Sequence, residues 1–202
     1  MTLAYTAVIL AGGRASRLGG VAKPLLEVGG RSLLDAALAA ASGAREVVVV
    51  GDVPVPAGVR QIVEDPPRSG PAAALAAGVV TLSVPAPWTL VLASDVPGVD
   101  RAVPALVAHA EKDGGHDGVC FHDGTGHPQW MLALYRTAPL RGAIDAVETT
   151  DLSLKRLLAP LRLRSIDGDP GAIADCDTWD EIEAARRRAS SRTISTEKEG
   201  EE

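Results

Sequence analysis

Along the chain, short β-branched and aliphatic runs alternate with Ala/Leu-rich stretches of helical length. This is the pattern of buried parallel strands joined by crossover helices, in which a strand reads as a continuous apolar run because both its faces are covered. It predicts strands at 6–10, 46–50, 60–63, 89–92, 117–121, 130–135 and 161–166. A first helix is expected over 32–41, a second opens at Pro71, where a missing N–H costs nothing in the first turn, and a third covers 101–111. Thr137 and Ser153 stand where helix caps are expected, and Thr178 with Glu181 has capping-box spacing ahead of the last helix.

From Arg187 onward almost nothing is apolar, so that stretch cannot bury enough surface to offset its ordering entropy. Residues 1–186 are therefore read as one domain and 187–202 as a disordered charged tail.

Composition narrows the function classes. With 202 residues and 46% hydrophobic but only 3% aromatic content, the core is expected to be Val, Leu and Ala. A net charge of −6 supplies no basic surface for nucleic acid or anionic lipid, so neither is an expected partner. No run approaches the ~18 apolar residues that span a bilayer, and the first ten residues lack the basic start of a signal peptide. Cys120 and Cys176 have no zinc or disulfide spacing, which fits a reducing cytoplasm.

The first strand runs into Leu10-Ala11-Gly12-Gly13 and a loop to Lys23 that holds four glycines and the cations Arg14, Arg17 and Lys23. Glycines let backbone N–H groups converge on an anion, and Arg17 and Lys23 supply charge for phosphate oxygens. The loop has neither Gly-Lys-Ser/Thr nor G-x-G-x-x-G, which argues against a P-loop NTPase and a dinucleotide-binding dehydrogenase.

Asp95 follows an apolar strand and is the expected metal ligand. Asp175 and Asp177 are candidates for a second acid, each with a helix-capping or turn role as the plain alternative. Asp52, after Val47-Val48-Val49-Val50, and Asp65 and Gly70, in the stiff 65–71 connection, are candidates to face a base or ribose. The turn residues between His122 and His127 argue for a hairpin rather than a metal site, with His127, Gln129 and Trp130 as a lip for a second substrate.

Taken together, Leu10-Ala11-Gly12-Gly13, Arg17-Leu18-Gly19, Lys23-Pro24, Gly70-Pro71, Asp95 and Asp177-Thr178 resemble the nucleotidyltransferase family that includes molybdenum-cofactor guanylyltransferase, over about residues 5–186. The resemblance implies a single-domain, Rossmann-like α/β three-layer sandwich with a mostly parallel mixed sheet, of the nucleotide-diphospho-sugar transferase type. It also implies GTP with its triphosphate on the first loop, Lys23 and Arg17 on the phosphates, and Mg²⁺ on Asp95. Asp65 and Gly70 would lie near the nucleoside, Asp175 and Asp177 would line the catalytic floor, and molybdopterin would be the acceptor. The chain is expected to be a monomer or weak homo-oligomer. Leu18 stands where the family commonly has Met, and Ala22-Lys23-Pro24 where Asp-Lys-Gly is usual. These departures leave the transferase class intact and leave open a cytidylyl- or sugar-phosphate-transferring relative. A nucleotide-binding module without turnover is a separate alternative.

Overall fold

The computed structural model describes residues 3–12, 18, 21–112 and 114–199. β1 (Tyr5–Leu10) is an interior strand of a seven-stranded sheet with β4 (Val47–Val50), β5 (Arg60–Ile62), β6 (Trp88–Ala93), β7 (Gly118–His122), β8 (Pro128–Arg136) and β9 (Leu163–Ile166). The strand order is β5-β4-β1-β6-β8-β7-β9, and β8 alone runs against the others. A small antiparallel pair, β2 (Glu27–Val28) and β3 (Arg31–Ser32), stands apart.

All six residues of β1 are buried, because its side chains alternate between two separate cores. Tyr5, Ala7 and Ile9 join the core under α1 (Leu33–Ala40) and α3 (Val99–Glu111). Val8 and Leu10 join the core beneath α2 (Pro71–Thr81), α4 (Thr137–Asp145) and α5 (Leu154–Leu158). Fully burying a side chain of this size is worth roughly 1.5–3 kcal/mol, so the two-sided strand anchors both layers. The fold is therefore the expected α/β sandwich with a mostly parallel sheet.

The helix starts show local chemistry at work. Ser32 Oγ accepts from Asp35 N–H at 3.0 Å, and Ser153 Oγ accepts from Arg156 N–H at 3.3 Å, so both cap. Thr137 does not: it is the first residue of α4, and its hydroxyl meets that of Thr89 on β6 at 2.9 Å, a tertiary partner that displaces the cap role. The β2–β3 pair and α6 (Pro170–Ile173) were not expected, being too short to impose a periodic pattern.

The last helix runs into the segment expected as a tail. α7 spans Trp179–Glu199, so residues 187–199 continue a helix. Backbone bonds within the helix need little apolar burial once a neighbour holds one side. Ile182 and Ala185 are buried with Val28, Leu33 and Cys176, and Ala189 packs against the same cluster. The hydroxyls of Ser190 and Ser191 donate back to the carbonyls of Arg186 and Arg187.

Candidate active site

Because β1, β4, β5, β6, β7 and β9 are parallel, the residues that follow them share one edge of the sheet. The Gly-rich loop leaves β1 there, where the chain has strands to either side of it, the position at which open α/β sheets bind ligands. Ala11 N–H donates to Val50 C=O at 2.8 Å, and Ser94 N–H donates to Leu10 C=O at 3.1 Å, so both neighbours stitch the start of the loop. Leu10 and Ala11 are buried and Gly12 is exposed. Gly13 and Arg17 lie outside the described residues.

Lys23 stands at the far end of the loop. Lys23 opens a 3-10 turn, Lys23–Leu25, in which Pro24 is buried and Leu26 N–H closes on Lys23 C=O at 3.1 Å. With its backbone held, the side chain turns inward and is only 15% exposed. Its ammonium donates to Asp95 Oδ2 at 2.8 Å and to Asp177 Oδ1 at 2.6 Å. Desolvation alone would lower the Lys23 pKa, but the charges of Asp95 and Asp177 and their hydrogen bonds outweigh it, so the pKa is raised.

Asp95, Asp175 and Asp177 each offer a carboxylate oxygen within 4.8 Å of the others. Partial burial, followed by the charges of Asp95 and Asp177, raises the Asp175 pKa. Three hard oxygen donors at this spacing fit a small divalent cation. The sequence therefore named Lys23 and all three acids that the fold brings together.

It did not foresee how the late acids are held. Cys176 is fully buried between them, and its N–H donates to Asp95 C=O at 3.0 Å, registering the 175–177 segment against the end of β6. The Thr178–Glu181 capping box forms, with Thr178 Oγ1 accepting from Glu181 N–H at 3.3 Å. Glu181 Oε2 also accepts from the backbone of Asp177 at 2.7 Å and of Thr178 at 2.8 Å, which lowers the Glu181 pKa. The box was legible from its spacing, whereas the extra bond to Asp177 was not.

Gly51 is a second unforeseen feature. At φ +147° it is buried against the loop, where a Cβ would lie 2.7 Å from the carbonyl carbon and oxygen of Ala11. Asp52 follows it, exposed, on a bend pinned by Gln61, whose amide donates to the carbonyls of Gly51 and Val53. Asp65 is exposed beside a cis bond to Pro66, and Gly70, at φ +92°, caps α2. These three stand at the β4–β5 side of the same edge.

The hairpin between β7 and β8 forms as expected, with Asp123 Oδ1 accepting from Thr125 and His127 N–H groups. Its two histidines have different partners. His122 bonds Asp167 and the Asp123 carbonyl, while the largely exposed His127 meets Thr125. Of the expected lip, Gln129 and Trp130 stand on opposite faces of β8 because strand side chains alternate. Gln129 donates to Ile173 C=O of α6, whereas Trp130 packs with the α2–α4–α5 core. Among the described residues, no helix is long and apolar enough to cross a membrane.

The same architecture occurs in solved structures. Molybdopterin-guanine dinucleotide biosynthesis protein A from Archaeoglobus fulgidus superposes with a TM-score of 0.71 at 19% identity, over 92% of this chain and 99% of that one. A nucleotidyl transferase from Methanothermobacter thermautotroptrophicus gives 0.70 at 20% identity, over 94% and 99%. 2-C-methyl-D-erythritol 4-phosphate cytidylyltransferase from Thermus thermophilus gives 0.66 at 21% identity, over 94% and 100%. At these identities the likeness establishes the fold. No curated protein matches the chain by sequence. The profile of the MobA-like NTP transferase domain matches residues 7–166, and the chain accordingly belongs to that nucleotidyltransferase family.

Proposed function

We propose that the protein transfers GMP from GTP to a phosphate of molybdenum-bearing molybdopterin and releases pyrophosphate. The observation that carries this reading is the meeting of Lys23 with Asp95, Asp175 and Asp177 at the end of a Gly-rich loop. The guanylyl assignment draws on the family and on the Archaeoglobus fulgidus neighbour.

In this reading the backbone of Leu10, Ala11, Gly12 and Gly13 cradles the triphosphate, and Lys23 and Arg17 offset charge on the transferred and leaving phosphates. Asp52, Asp65 and Gly70 face the base and ribose. Asp95, with Asp177 or Asp175, holds Mg²⁺, whose chemistry there is neutralisation of charge on the α-phosphate. An acceptor phosphate oxygen bonds to the α-phosphorus as the bond to the β-bridging oxygen breaks, and that electron pair leaves with pyrophosphate. No enzyme nucleophile takes part. The 1–186 unit carries this chemistry, and the protein acts in the cytoplasm as a monomer or weak homo-oligomer.

The second reading replaces GTP by CTP, because the Thermus thermophilus neighbour is a cytidylyltransferase of the same fold. Thermal-shift titration with GTP, CTP, ATP and UTP, each with Mg²⁺, separates the two. A triphosphate at 100 times its Kd adds roughly 2.7 kcal/mol of stability. Preferential stabilisation by GTP is expected. A CTP preference overturns the guanylyl assignment, and no response to any triphosphate overturns the enzyme.

A further inference from the structure

We propose that the Lys23 ammonium is a tethered counter-ion of the acidic cluster, standing where a divalent cation binds, so that the metal enters as a triphosphate draws Lys23 away. The inference deepens the nucleotidyltransferase reading and rests on it. Lys23 Nζ lies 2.8 Å from Asp95 Oδ2 and 2.6 Å from Asp177 Oδ1, and these two carboxylates are members of the three-acid group. A Mg²⁺ ion would need the same carboxylates at about 2.0–2.1 Å, so it and the ammonium compete for one position. Like charges a few ångströms apart in a partly buried site repel strongly.

The exchange needs only side-chain motion. Pro24 is buried and the 3-10 turn is closed by backbone bonds, which fixes the root of the lysine, while its four-carbon stem is free to pivot. An arriving triphosphate offers the ammonium other oxygens, and the vacated carboxylates then accept the metal. Reciprocity follows: metal and triphosphate each tighten the other by the same factor. In the nucleotide-free protein, Lys23 offsets one of the three carboxylate charges and keeps the site closed to free cations.

The test is Mn²⁺ affinity of the nucleotide-free full chain by isothermal titration calorimetry, in wild type, Lys23→Met and Arg188→Gln. Arg188→Gln makes the same charge change at a residue whose field reaches Cys176, between the two late acids. Lys23→Met is expected to bind Mn²⁺ at least about tenfold more tightly than wild type, and Arg188→Gln within about threefold of it. Lys23→Gln, whose amide still donates to the acids, is the second variant should the Met variant not fold, with tightening again expected.

Equal affinity in wild type and the Lys23 variants, or equal tightening in Arg188→Gln, overturns the proposal. Triphosphate thermal shifts on the same wild-type preparation read the enzyme assignment separately. Stabilisation by a triphosphate with unchanged Mn²⁺ affinity in the Lys23 variants removes the counter-ion role alone. Tightening without any triphosphate response supports the counter-ion role of Lys23 alone and overturns both the triphosphate-driven exchange and the proposed function.

Discussion

Lys23 Nζ and Asp177 Oδ1 stand 2.6 Å apart although 154 residues separate them in the chain. The contact joins the end of the first loop to the start of the last helix, so Lys23 and the late acidic segment form one unit.

That unit makes Lys23→Ala a decisive variant. It is expected to lower kcat/KM for pyrophosphate release by about 10²–10³-fold, the scale of removing one preorganised charge donor. It also leaves the partly buried Asp95 and the exposed Asp177 without their cation, which after solvent screening costs about 1 kcal/mol of stability in metal-free buffer. Pyrophosphate assays and thermal melts read the two effects. A near wild-type rate would remove Lys23 from the chemistry.

Glu181 touches no reacting group in the proposed scheme, yet it holds the backbone of Asp177 and Thr178. Glu181→Ala is expected to cost about 1 kcal/mol of stability, a typical cap loss, and to weaken divalent-cation binding in the presence of triphosphate. A variant that loses stability with full metal affinity would show that the cap serves the helix alone.

Gly51 is held within contact of the Ala11–Gly12 peptide. Gly51→Ala places a Cβ against backbone atoms at a positive φ, so the loop start must shift. The expected result is a lower Tm together with a raised Kd for triphosphate. Unchanged nucleotide affinity would show that the loop tolerates the displacement.

His122 supplies the pH dependence. Its Nδ1 lies 2.9 Å from the Asp123 carbonyl and its Nε2 3.0 Å from Asp167, both acceptors, so only the imidazolium donates to both. The Asp123 carbonyl first, then the Asp167 charge, raise its pKa above 6.5. A group with a raised folded pKa contributes stability that is fully present below 6.5 and is lost as pH rises through the folded value. The Tm difference between wild type and His122→Asn should therefore be largest in mildly acidic buffer and shrink above neutrality. A difference independent of pH would refute the charged pairing.

What the sequence by itself determined were features set by local rules. Burial on two faces makes β1, β4 and β6 read as apolar runs, and Ser32, Ser153 and the Thr178–Glu181 box act over three residues, so each was visible without the fold. Parallel strands likewise obliged Asp95 to share the edge from which the first loop leaves β1. Tertiary structure alone decided that Asp95 and Asp177 pair with Lys23, because contact across 154 residues depends on how α7 packs on β2 and the start of α1. It also made Thr137 a partner of Thr89 rather than a cap, gave Gly51 its place against Ala11, and carried α7 past Arg187 on a few small contacts. Periodicity and spacing report a residue's neighbours along the chain, whereas charge pairing and close approach depend on neighbours in space.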